Sequence, residues 1–240
     1  PNAGTLGAVG SGGTFSGFGP EAFAAYEKKK WSSNAYTLER RRAKDAILAL
    51  ARAIETSLPD VLGGLEMGAS DEAPSVANAR KVTAQGVFFT RPGADRACVE
   101  PLLEKTDLHA GAALFDISVQ HRHACVVLRL DHDGLAVGLE IAGKAKVDRK
   151  NVAEKLSQAW AVAKLVELCT ALPAGSTVAL ATDRVDASGL EAERIEDWRK
   201  KLVDGDGPLV AEIVLPSGAE IHRSAELIDA VAAHVSAFMP

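Results

Sequence analysis

Apolar residues recur every three or four positions in the first quarter of the chain, where Ile47, Ala51, Ile54 and Leu58 fall on one face and Pro59 ends the run. That spacing predicts a helix over Thr37–Leu58. A shorter helix is expected from Pro20, with proline in its first turn, Glu21 at its positive end, and Phe23 and Tyr26 as anchors. Alternating or continuous apolar runs predict strands at Lys81–Phe89, Ser118–Leu130, Leu135–Ile141, Thr177–Ala181 and Leu209–Leu215. Asp133-Gly134 lies between two such runs, the composition of a tight hairpin. Pro216-Ser217-Gly218 is expected to make a second hairpin, with Ala219–His222 as its return strand. Further helices are expected over Ala94–Lys105, kinked at Pro101, and over Asp148–Leu172, closed by Pro173 and Gly175. Ser188 and Glu191 have capping-box spacing and predict a helix running to Leu202. Ser224 opens a last helix with Ile228, Val231, Val235 and Phe238 on one face.

Hairpins interleaved with crossover helices predict the α/β (α+β) class: a mixed sheet of five or more strands covered by helices, in a single compact domain over residues 20–240. Residues 1–19 contain seven glycines and no charge, and read as a flexible Gly-rich N-terminal segment. They lack the Lys-Ser/Thr that a phosphate loop needs after its last glycine. The start at Pro1, with no basic-then-apolar leader, suggests a trimmed or processed end.

Composition changes this picture little. With 47% hydrophobic and 25% charged residues, the 240-residue chain has enough apolar content for a folded core, which excludes a disordered or collagen-like protein. No apolar run is long enough to cross a membrane. Cys98, Cys125 and Cys169 have no paired spacing and read as reduced thiols of a cytoplasmic protein. The net charge of −5 is concentrated in the last third and argues mildly against a protein built chiefly to bind nucleic acid.

Phe18 and Phe23 around the first helix, Pro74 with Arg80-Lys81-Val82 leading into a strand, and a hairpin followed by a long helix resemble the YktB-like group of uncharacterised bacterial α/β domains. The resemblance spans about residues 15–170. It implies a compact α/β fold and assigns no activity.

Local basic clusters are the most distinctive chemistry. Lys28-Lys29-Lys30-Trp31 precedes Arg40-Arg41-Arg42 and Lys44, with Tyr36 between, a pattern suited to phosphates and stacked bases. Arg40 and Lys44 continue the apolar stripe of their helix, so they either face a cleft or snorkel from a solvated helix end. A second cluster, Lys144, Lys146, Arg149 and Lys150, enters the next long helix, where cations oppose the helix dipole unless an anion is near. Trp31 and Tyr36 are the stacking faces of the first cluster, and convergence of the two clusters would strengthen the case for an anion site. His121 and His123 would share one strand face but lack a third ligand at compatible spacing, with His109 and Asp116 unplaced. Asp131, His132 and Asp133 read as a hairpin tip.

The chain therefore reads as a non-enzymatic binding or accessory module for an anionic partner, nucleic acid among the candidates. A protein–protein scaffold is the first alternative and a hydrolase built on His121 and His123 the second. No metal, cofactor or membrane is expected, and whether the protein is an enzyme stays open.

Overall fold

The computed structural model describes residues 15–75, 78–104, 119–205 and 207–239. Seven strands form one sheet: β1 (Glu66–Ala69), β2 (Ala84–Thr90), β3 (Ala124–Asp131), β4 (Gly134–Ile141), β5 (Thr177–Leu180), β6 (Asp183–Asp186) and β7 (Leu209–Pro216). Their spatial order is β1-β2-β3-β4-β7-β5-β6. The class and the helix-covered sheet are as the sequence predicts, but every pairing is antiparallel. β4 and β5 do run in the same direction, as a helical crossover favours. β7 lies between them and opposes both, so no parallel ladder forms.

The pleat sends Val87, Phe89, Val126, Leu128, Leu130, Leu135, Val137 and Ile213 to one face. There α1 (Pro20–Ala24), α2 (Thr37–Ser57) and α8 (Glu226–Phe238) cover them. On α2 the predicted stripe is buried at Ile47, Ala51 and Ile54, joined by Leu50, while Leu58 just past the helix end is half-buried. α3 (Pro59–Leu62) follows it, and α4 (Gly93–Glu104) follows β2. Val178 pairs with Ala211 and Leu180 with Leu209, which places them on the same side of the sheet. A second core forms there beneath α5 (Lys146–Lys155), α6 (Ala159–Thr170) and α7 (Ala192–Asp204).

Four local expectations are corrected. The helix expected over 148–172 divides, because the chain leaves helical geometry at Leu156–Gln158. Ser188 sits in a 3₁₀ turn, and the following helix begins at Ala192 without a side-chain cap. The return strand after Gly218 is replaced by a 3₁₀ turn over Glu220–Arg223. The strand expected from Ser118 begins only at Ala124, preceded by a 3₁₀ turn over Val119–His121.

β1 and β6 were not anticipated. Each has four residues, and Asp183-Arg184-Val185-Asp186 is a charged edge with no apolar run to reveal it. Residues 1–14 of the Gly-rich segment, His109 and Asp116 lie outside the described residues. The end of that segment is ordered: Phe18 is buried, and its N–H donates to the His222 carbonyl at 2.7 Å.

Candidate functional site

The structure separates the two basic clusters. Val82, two residues before β2, donates its N–H to the Trp31 carbonyl at 3.0 Å, which ties the first cluster to the sheet end carrying Ala84 and Asp131. Lys144 follows Ile141, which pairs with Ala124 at the opposite end. The length of β4, about 24 Å at 3.4 Å per residue, lies between them.

The expected cleft-facing cations are largely engaged inside the fold. Arg40 is fully buried, and its guanidinium donates to the carbonyls of Glu72 at 2.6 Å, Ser33 at 2.9 Å and Lys30 at 3.1 Å. It ties the approach to α2 against the loop before β2. Arg41 and Lys44 both pair with the Glu72 carboxylate, at 3.3 and 2.9 Å. Burial works to raise the Glu72 pKa, but Lys44 and Arg41 hold it below the ordinary value. Trp31 donates its indole N–H to the Tyr26 carbonyl at 2.7 Å, and Tyr36 receives Lys30 over its ring.

Arg149 is 2% exposed and donates to the carbonyls of Leu202, Lys201, Gly205 and Gly207. Its partner is thus the negative C-terminal end of α7, which accounts for a cation at the start of α5. Lys146, Arg149 and Lys150 line one open cleft of about 500 Å³ together with Asp204 and Glu154. Lys150 approaches Glu154 at 3.8 Å, and Lys144 is exposed outside that cleft.

The histidine pair does not share a strand face, because His121 lies in the 3₁₀ turn and His123 just before β3. His123 is 2% exposed, with Nδ1 4.0 Å from Asp148 Oδ2 and without a hydrogen-bond partner. Burial lowers its pKa, Asp148 opposes this, and Arg91, Arg96 and Arg122 reinforce it. Asp148 accepts from the Ala124 N–H at 2.6 Å and from Arg91 at 2.7 Å. Among the described residues, no three His, Cys, Asp or Glu side chains are grouped to hold a metal ion. At the hairpin tip, Asp131 accepts from the N–H groups of Asp133 and Gly134, and so serves the turn.

A different binding geometry lies between the sheet and the second helical layer. An apolar cavity of about 270 Å³ is walled by residues including Leu139 and Ala211 of the sheet, Leu156 after α5, Leu165 and Cys169 of α6, and Trp198 of α7. Cys125 and Glu140 also border it. Burial pushes the Cys125 thiol up to about 12 and the Cys169 thiol up to about 11, so both are protonated at neutral pH. Burial likewise raises Glu140, against the opposing effect of Arg129.

α6 is the cavity's least secured wall. Its sequence, Ala-Trp-Ala-Val-Ala-Lys-Leu-Val-Glu-Leu-Cys-Thr, is apolar nearly all round, a composition that normally signals full burial. Yet Cys169 is its only buried residue, and Trp160 is 67% exposed.

A second hollow of about 500 Å³ adjoins the cavity and is lined by polar groups, among them Arg91, Asp148, Asn151, Lys155 and Gln158, with Trp160 at its edge. Ala124, Ile141 and Val152 border both spaces. The apolar chamber and the open polar cleft therefore share part of their lining. Sequence reasoning missed this site. The available signal was an all-round apolar helix following the polar break Ser157-Gln158.

A scan against protein-family models finds no match to this chain, and a search of curated proteins finds none.

Proposed function

We propose that the protein is a non-enzymatic binding module whose ligand is a small, largely apolar molecule held in the cavity beneath α6. The observation that carries this reading is the 270 Å³ apolar chamber bordered by three residues of an open polar cleft. An apolar cavity of roughly 150 Å³ stays dry and admits benzene, so this one has room for two or three fused aromatic rings or a medium-length alkyl chain. Burial keeps the two cysteines that border the chamber protonated, which speaks against a thiolate nucleophile there.

The anionic-partner reading gains no support from convergence of its two clusters, since they lie at opposite ends of the sheet. Three free cysteines support a reducing, cytoplasmic setting. Among the described residues, no helix is long and apolar enough to cross a membrane.

Titration with 1-aminoanthracene, which fluoresces in apolar surroundings, tests the proposal. A saturable rise at one site per chain is expected, and Cys169→Trp, which fills the chamber, should abolish it. No rise with the wild-type protein, or an equal rise in the variant, would overturn the reading.

A further inference from the structure

We infer that the polar cleft beside the cavity selects ligands carrying an anionic head group, so that the module takes a small amphipathic acid rather than a neutral hydrocarbon or an amine. This rests on the cavity reading and adds the chemistry of the ligand's polar end.

Two cationic side chains line the cleft, Arg91 and Lys155, with the amides of Asn151 and Gln158 beside them and the exposed ring of Trp160 at the edge. Two carboxylates line it as well, and each already faces a donor. Asp148 is 3% exposed and accepts from Arg91 through one oxygen and from the Ala124 N–H through the other. Glu154 has Lys150 at 3.8 Å. The Asp148 contact also fixes the Arg91 guanidinium at the cleft, and a preoriented guanidinium favours a carboxylate.

The backbone adds to the same sign. α6 begins at the cleft with no side-chain cap at Gln158 and no acidic residue in its first turn, so its positive end is not neutralised from within the helix. An alkyl or aryl body in the cavity would carry its head past Ala124, Ile141 and Val152 into that cleft. A cationic head would meet it unfavourably, and a neutral head would gain only hydrogen bonds.

The test displaces bound 1-aminoanthracene with three compounds sharing one chain length and kept below their aggregation thresholds: decanoate, decanol and decyltrimethylammonium. Decanoate is expected to displace the probe at about tenfold lower concentration than decanol, the strength of one charge-assisted contact, with the ammonium compound weakest. The preference for decanoate should shrink as salt rises. It should fall about threefold in Lys155→Met, an exposed position whose replacement leaves the core intact, and return in Lys155→Arg.

Equal displacement by all three compounds would overturn the anionic-head inference and leave the cavity reading standing. Probe binding with displacement by decanol alone would do the same. Failure of the probe to bind would remove both. An unchanged preference in Lys155→Met would take Lys155 out of the head-group site.

Discussion

The two cores on one face of the sheet are packed to different standards. Beneath α2 and α8, Ile47, Leu50, Ile54, Leu128, Leu130, Leu135, Val231 and Val235 are all fully buried. Beneath α5, α6 and α7, Ile195, Trp198 and Leu202 are buried, but Val152, Leu165 and Leu209 on the chamber wall are only partly so, and a chamber remains. Both regions rest on the same pleat and draw on similar residue types. The difference lies in the helices. α2 is a 21-residue amphipathic rod with a single stripe to satisfy. α6 has 12 residues, is apolar nearly all round, and buries one. A helix with one stripe can be satisfied by one contact surface. A helix apolar on every side leaves surface over, which accounts for its exposed tryptophan.

The largest expected contrast comes from truncating one leucine in each region. Leu128→Ala, in the dense core, should cost about 3–5 kcal/mol in urea unfolding, the range for a buried leucine that leaves a void. Leu165→Ala, on the wall of a space already open, should cost about 1 kcal/mol or less. Similar losses at both sites would erase the distinction.

Enlargement should reverse the order, and with a smaller effect. Ala51→Leu inserts volume where no room exists and should destabilise by about 1–3 kcal/mol. Cys169→Leu extends into the chamber and should be neutral or raise the melting temperature by a few degrees, about 1 kcal/mol at most. A loss at Cys169→Leu as large as at Ala51→Leu would mean that the chamber closes in solution.

The smallest effect is a pH dependence at His123, buried just before β3 and beside Asp148. His123 has its pKa lowered by burial from the ordinary 6.5, so the unfolded chain takes up the proton first as pH falls. Its contribution to stability is therefore fully present above 6.5 and is lost as pH falls from there toward the lower folded value. Urea midpoints at pH 7.5 and 5.5 should differ less in His123→Gln than in the wild type. An unchanged difference would assign that pH dependence to other groups.

Much of the dense half was legible in the sequence. The four-three-four spacing on α2 and the Asp133-Gly134 turn each depend on neighbours within a few residues, and both appear where expected. The open half was harder to read. Nothing local distinguishes Arg149 from a solvated arginine, since its partners are the carbonyls of residues 201–207, more than fifty positions away. Arg40 is similar, held in part by the Glu72 carbonyl. β6 has no apolar alternation because an edge strand needs only one paired neighbour. A void is a property of what several segments jointly fail to fill, so no single segment encodes it.

The place of α8 constrains how the molecule is made. Leu227, Val231, Val235 and Phe238 belong to the core that α1 and α2 begin, and β7 must slot between β4 and β5 before the sheet is whole. During synthesis the meander of β1 to β4 emerges before α8, so the surface that α8 will cover stays bare until Glu226–Phe238 have followed. The nascent chain therefore carries that apolar surface uncovered while β5, β6 and β7 are made, and a ribosome stalled in that interval would leave it open to other chains.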